Sequence, residues 1–409
     1  MRDAADLTSA GIGPRHVRAR AGQATFFLST LFALAALAVL LLNIADGALG
    51  YVAVKNKVEP AQLSSRPLDQ LSKEELVDIL RQNITRGVYR RYDSEKPFAE
   101  REQGEVYELV MERVVSPELL KSWPLLESLL NRPAIESELA AKYPGAHLEF
   151  RSWVNPGFLT SPMSSLPGQA GVRTAILGTI ALIVAAMAIA SPVGVGAAIY
   201  MEEFANRKRR LNQVVETNIN NLSGVPSIIY GMLGLVIFVR ILEPLTSGAA
   251  FGETGNNGRT ILSGALTMAL LLLPLIIINA REAIRAVPDS LRQASYGLGA
   301  TKWQTVRHHV LPAAMPGILT GTILALSRGI GETAPLILAG ASTFIVTDPT
   351  GLFSKYTALP IQIYDWTSRP EAQFRNAAAA AIIVLLALMI ALNMTAILLR
   401  NRLSRKRGL

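Results

Sequence analysis

Long apolar runs alternate with charged stretches along the whole chain. Six stretches, 24–44, 173–200, 222–242, 261–280, 313–344 and 374–399, are long and almost free of charge. A hydrocarbon core of about 30 Å takes roughly 20 helical residues, so each stretch reads as a membrane span. Between the first and second lies a contrasting segment, residues 51–165, rich in charge and turn formers. Within it, LSKEELVDILRQNI sets Ser72 and Glu75 at capping-box spacing and then puts Leu76, Ile79 and Leu80 on one helical face. That pattern predicts an amphipathic helix in a water-facing domain. The expected fold is an all-α membrane protein with six transmembrane helices and a mostly helical insert between helices 1 and 2.

Half of the 409 residues are hydrophobic and mean hydropathy is positive, which excludes an ordinary soluble domain. The net charge of +9 is distributed by topology. Arg15, Arg18 and Arg20 precede the first span, NRKRR (206–210) follows the second, Arg281, Arg285, Arg292, Lys302 and Arg307 lie between the fourth and fifth, and RNRLSRKR (400–407) follows the sixth. The other short loops, 243–260 and 347–373, are mixed or acidic. Lys and Arg are retained on the cytoplasmic side, so both termini are expected inside and the insert outside. The charge then needs no nucleic acid to explain it. The expected plan is a basic cytoplasmic N-terminus (1–23), a first helix (24–50), an extracytoplasmic insert (51–165), a transmembrane core (170–400) and a basic cytoplasmic tail (401–409). The first span could also be read as a cleaved signal peptide; its apolar run exceeds the 7 to 15 residues typical of a signal, which favours a retained anchor.

No cysteine is present, and His16, His147, His308 and His309 match no metal motif. GLGATK (297–302) lacks the spacing of a phosphate-cradling loop, and neither GxSxG nor HExxH occurs. No catalytic residue and no metal site are expected, so the chain reads as a non-enzyme.

The loop 281–312 carries more than a turn. Pro288 stops one helix, Ser290 with Gln293 is placed to cap the next, and Leu291, Ala294 and Leu298 fall on one face. Gly297 and Gly299 suit its end, and Thr301 suits the start of a second helix toward Leu311 and Pro312. Small residues at Ala294, Ser295 and Gly299 permit close approach by a partner; the plainer reading is a polar loop with an ordinary amphipathic turn. The register of Gln293-Ala294-Ser295, Gly299 and Leu311-Pro312 resembles the EAA loop of ABC importer permeases, with Gln293 where that pattern has Glu, Ser295 for the second Ala and His309 where Ile is common. NLSGVPSIIYGMLGL (221–235), SPVGVGAAIYMEEF (191–204), LRQASYGLGATKWQT and SRGIGETAPL together resemble PstA-type permease subunits of phosphate importers over residues 170–400.

That resemblance implies the type I ABC importer permease fold, import of inorganic phosphate and docking of residues 281–312 on a cytosolic ATPase. It implies as partners a second permease of PstC type, a PstB-type ATPase dimer and a PstS-type extracytoplasmic phosphate-binding protein. ATP-Mg would belong to the ATPase, leaving no cofactor on this chain. The setting would be the lipid of a bacterial inner membrane. The alternatives are another oxyanion, such as sulfate, molybdate or phosphonate, and a membrane sensor with an extracytoplasmic ligand-binding domain. A sensor predicts a cytosolic output domain, and none is visible.

Arg328 and Glu332 sit inside the fifth apolar run. Each buried charge opposes insertion by about 2.5–3.5 kcal/mol, and each surrounding Leu or Ile returns about 0.3–0.6. Neighbouring spans or a wet cavity must therefore hold them. At i and i+4 they could neutralise each other as a packing clamp. Alternatively, Arg328 offers a planar donor fork to an oxyanion and Glu332 tempers its attraction; the phosphate-permease resemblance favours this substrate-pathway role. Arg240, near the outer end of the third run, could snorkel outward or line the same path. Gly329, Gly331 and Pro335 could equally loosen a cavity-lining helix or let helices pack closely.

Overall fold

The computed structural model describes residues 12–64, 66–206, 209–253 and 257–405. The basic N-terminus through residue 11, Arg207 and Lys208, and the tail from residue 406 lie outside the described residues. The first apolar run forms α1 (Ile12–Ala48), whose most apolar stretch buries no side chain within the chain. It passes directly into β1 (Leu49–Asn56), the central strand of an antiparallel sheet ordered β2-β1-β3, with β2 (Pro117–Ser122) and β3 (His147–Ser152). Val52 pairs with Ser122 on one side and Glu149 on the other, and a bulge follows at Ala53/Val54.

The insert is helical over most of its ordered length, as expected, yet this sheet anchors it and was absent from the sequence reading. Val52 and Val54 bury one face of β1 against Phe374 and Ala377 of the core, while Ala53 buries the other against Trp123 and Ile135. With both faces covered, β1 lacks the polar alternation that marks a half-exposed strand. The helices are α2 (Lys73–Asn83), α3 (Arg86–Glu95), α4 (Gln103–Val110, prolonged by a wide turn to Val115), α5 (Leu125–Leu130) and α6 (Arg132–Lys142). The Ser72 hydroxyl accepts the Glu75 N–H at 3.3 Å and the Glu75 carboxylate accepts the Ser72 N–H at 2.8 Å, closing the expected capping box. Leu76 and Leu80 are buried, with Val106 and Val110, in a separate small core. The Gln373 amide donates to the carbonyls of Leu119 and Leu120, and Ser122 and Asn376 share a 2.6 Å bond. The insert is thereby pinned to the membrane core.

That core comprises α7 (Arg173–Ile199, prolonged by a wide turn through Phe204), α8 (Arg210–Ser223), α9 (Ser227–Gly234, prolonged to Ile241), α10 (Ile261–Arg285), α11 (Asp289–Gly297), α12 (Lys302–Gly331), α13 (Ala334–Leu338), α14 (Leu359–Ser368) and α15 (Ala372–Arg405). Five helices are long and apolar enough to cross a membrane, and a sixth crossing is available only as the broken pair α8–α9. Two expected spans need correction. The third, 222–242, is no straight helix: the chain bends by 105° between α8 and α9, at Gly224-Val225-Pro226. Pro226 disfavours helix at the residue before it and lacks the N–H that would continue the ladder. The fifth, 313–344, begins earlier and ends earlier, because α12 runs Lys302–Gly331 and Glu332 already has extended backbone.

Small residues set the helix spacing. A side chain at Gly317 would come within 2.7 Å of Ala283, one at Gly321 would collide with Asn279, and one at Gly329 would press Leu272 at 3.1 Å. These glycines, four and eight residues apart, share one face of α12 and let it lie directly on α10, the packing available where lipid supplies no hydrophobic drive. Close packing thus accounts for Gly329. Pro335 of α13 likewise seats on Gly231 of α9, where a Cβ would lie 2.6 Å from the proline Cα.

Candidate functional site

Arg328 occupies the last turn of α12, and Glu332 is the first residue after the helix. Arg328 lines a cavity of about 200 Å³ together with Ser223 and Val225 from the α8–α9 break, Tyr230, Leu271 and Leu275. Leu271 and Leu275 lie ten and fourteen residues into α10 from its N-terminal end, hence about 15–21 Å along an axis of roughly 37 Å. The cavity is therefore level with the middle of α10. The Tyr230 hydroxyl donates to the Leu222 carbonyl at 2.6 Å, satisfying a backbone group freed by the break and fixing its geometry.

Arg328 and Glu332 do meet, but weakly: Nε donates to Oε1 at 3.4 Å. Among the described residues no other group bonds the guanidinium, so both terminal nitrogens stay open. The Arg328 side chain is 48% exposed and that of Glu332 17%. A packing clamp between Arg and a carboxylate ordinarily uses the fork in two parallel bonds. Here only Nε is engaged, in one long bond.

Arg240 stands apart. It is exposed near the C-terminal end of α9, ten residues beyond Tyr230, and does not line the cavity.

The basic loop 281–312 folds as two short helical pieces, with differences from the expected pattern. α11 starts at Asp289 after Pro288, and no side chain caps it, so Ser290 with Gln293 is not a cap. Gly299 adopts φ +82° just past the helix, and Thr301 forms a capping box with Gln304 at the start of α12. Gln293 and Ala294 are exposed, whereas Ser295 is buried and its hydroxyl lies 2.9 Å from that of Thr305. Ser295 therefore braces α11 against α12 and is removed from any docking face. Leu298, on the face it was expected to share with Leu291 and Ala294, is 90% exposed, and Trp303 at the start of α12 is exposed as well. Leu311 and Pro312 lie within continuous α12 just after a wide turn, Val306–Val310, that accommodates the missing proline donor.

An ion-pair cluster links this loop to the bundle, and the sequence reading did not foresee it. Arg281 donates to Glu202 at 2.9 Å and to Glu216 at 2.6 Å, and Arg285 reaches the same Glu202 at 2.7 Å. Arg292 of α11 donates to Glu203 at 2.8 Å and to the carbonyls of Val287 and Ile284. Arg281 and Glu202 side chains are only 8% and 2% exposed. Glu216 belongs to α8, the inner arm of the broken span. The cluster thus runs from α11 through the end of α7 to the element that floors the Arg328 cavity. Its signal was the acidic pair in YMEEF at the end of an apolar run, facing three arginines.

A helical bundle with a broken span, an open guanidinium beside the break and a basic loop tied to it by ion pairs fits a multi-span permease subunit. A family model described as "Binding-protein-dependent transport system inner membrane component" matches residues 190–408, and the chain belongs to that family. It is 32% identical over 242 residues to the "Probable ABC transporter permease protein YqgI" of Bacillus subtilis, covering 56% of this chain and 78% of that one. It is 34% identical over 248 residues to the "Phosphate transport system permease protein PstA 1" of Mycobacterium tuberculosis, covering 60% and 75%. The "Phosphate transport system permease protein PstC" of Mesorhizobium japonicum is 32% identical over 225 residues, covering 50% and 66%. Among solved structures, the bacterial alginate ABC transporter with its alginate pentasaccharide-bound periplasmic protein aligns at a TM-score of 0.42 and 17% identity, covering 67% of this chain and 89% of that one. The chain is a non-catalytic permease subunit of an ABC-type importer and a multi-pass bacterial membrane protein.

Proposed function

We propose that this chain is the PstA-type subunit of an importer of inorganic phosphate and that Arg328 lines the path of the anion. The observation that carries this reading is the open guanidinium fork in a cavity at a helix break. A planar pair of N–H donors matches two phosphate oxygens, and a guanidinium stays charged and sheds water more readily than an ammonium. Glu332, holding Nε alone, orients the fork and moderates its pull, so that the anion can leave again. Curated relatives named as phosphate permeases support the choice of cargo.

In this reading, residues 51–165 face the extracytoplasmic side of the inner membrane and both termini face the cytosol. A second permease of PstC type completes the pathway, a PstB-type ATPase dimer docks on 281–312 through Gln293, Ala294, Leu298 and the turn at Gly299, and a PstS-type binding protein delivers phosphate. ATP-driven closure of the ATPases moves α11, and the Arg292–Glu203 and Arg281–Glu216 ties carry that motion to α8 beneath the cavity. The test is Arg328→Gln in a strain lacking other phosphate importers. Uptake of labelled phosphate is expected to fall at least tenfold with the complex still assembled; unchanged uptake would refute the pathway role. Sulfate, molybdate or phosphonate displacing labelled phosphate with equal potency would move the cargo to another oxyanion.

A further inference from the structure

Beyond α13 a second pocket, of about 380 Å³, opens at the outer end of the bundle. Asn257, Arg259, Ser342, Thr343 and Lys355 supply its polar lining, with Phe344 beside them. Among the described residues, none of these five polar side chains hydrogen-bonds or ion-pairs with another protein group. Two cations and three neutral polar groups thus converge on one space that contains no carboxylate. Two acids, Glu253 and Asp348, line a neighbouring pocket that shares Lys355, and Glu243 packs near Gly258, between Asn257 and Arg259. Asp348 is committed to Arg173 at 3.0 Å and Thr174 at 2.9 Å, and among the described residues neither Glu253 nor Glu243 makes an ion pair.

The arrangement is built in. Gly340 ends α13 with φ +95°, and any Cβ there would collide with the aliphatic arm of Arg259. A glycine at this position lets the arm lie on the backbone, which fixes where the guanidinium is presented. α13 follows Arg328 and Glu332 in the chain and packs on α9 through Pro335 and Gly231. Arg259 stands two residues before α10 begins, so the pocket lies about 15–20 Å outward of the Leu271 level that holds the Arg328 cavity.

We infer that this pocket is an outer anion subsite, which takes the small oxyanion as it is released outside and holds it before it reaches Arg328. The inference rests on the oxyanion reading of the Arg328 cavity. Paired cations in a concave mouth raise the local concentration of an anion. Their exposure keeps the binding weak, as an entry site requires.

The test uses the complete permease–ATPase complex. Equilibrium binding of labelled inorganic phosphate to the solubilised complex, without binding protein, is compared with uptake into proteoliposomes at saturating phosphate-loaded binding protein. Arg259→Gln with Lys355→Gln is expected to weaken phosphate binding about five- to tenfold, from two exposed charges, and to lower uptake; Arg259→Lys with Lys355→Arg should retain both. If the double glutamine variant does not assemble, each single variant should show a two- to threefold loss on the same scale. Unchanged phosphate binding overturns the subsite. So does unchanged phosphate binding with a higher half-saturating concentration of binding protein, which would mark a protein-docking surface instead. If Arg328→Gln stops uptake while the Arg259 and Lys355 variants behave as wild type, only the subsite fails; if Arg328→Gln also has no effect, the oxyanion reading itself fails.

Discussion

Replacing Arg281 with methionine tests whether the buried ion-pair cluster holds the inner arm of the broken span. Methionine keeps the length and apolar stem and removes the charge. Glu202, almost fully buried, would lose its buried partner and keep Arg285, whose side chain is half exposed. Glu216 would lose its tie to α10 altogether. Removing one partner from a buried pair costs about 3–5 kcal/mol, because a charge is left in a low-dielectric site. Arg285 still reaches Glu202, so the lower end, about 3 kcal/mol, is expected. Truncating the exposed end of the same cluster, Glu216→Gln, should cost less than about 1 kcal/mol. In Arg281→Met with Glu202→Gln both buried charges are gone, and about 2 kcal/mol of the loss should return, since breaking a pair costs more than replacing it. The assay is thermal unfolding of the assembled complex in detergent, paired with phosphate uptake and ATP hydrolysis in proteoliposomes. If the cluster transmits motion, Glu216→Gln should leave stability nearly intact yet lower uptake per ATP hydrolysed. Additive losses in the double variant, or a cost below about 1 kcal/mol for Arg281→Met, would refute the argument that the cluster is a buried and mutually dependent unit.

Leu298→Asp should leave thermal stability unchanged, because the side chain touches little, and should cut ATPase co-purification about tenfold or more, as loss of an exposed apolar anchor does. Gly231→Leu forces a side chain into the Pro335 backbone and should cost several kcal/mol by overpacking, read as loss of assembled complex; Gly331→Ala, with open space around it, should not. In the insert, hydrogen bonds from Lys121 and then Lys142 hold Glu138 down to about 2, below its ordinary 4.5. A carboxylate with a depressed folded-state pKa contributes stability that is full above the unfolded value and is lost as pH falls through the folded value. The α6–β2 tie should therefore weaken between about pH 4.5 and 2, followed by Trp123 fluorescence because Trp123 Nε1 lies 3.3 Å from the same carboxylate, and Glu138→Gln should flatten that window.

Much of the molecule was legible in the order of its residues. Apolar length defined five continuous crossings, since lipid leaves a backbone no option but to satisfy itself internally. The Ser72–Glu75 box is local, needing only neighbours along the chain, so its spacing was sufficient, whereas Ser290 and Gln293 have the same spacing and form no cap because Pro288 takes the N-cap position.

What only the tertiary structure decided is how groups distant in sequence share one space. Pro226 marks a break, but its 105° angle and its placement beside Arg328 depend on α8 being held by Arg281, some 65 residues away. The i,i+4 spacing of Arg328 and Glu332 allows one bond or two, and the fold forms the single Nε–Oε1 contact at 3.4 Å. β1 escaped detection because packing covers both of its faces, and Ser295, expected to permit a partner's approach, is buried because Thr305 claims its hydroxyl. Periodicity records which side of an element is apolar, whereas the partner that covers it, or leaves it open, is a property of the assembled fold.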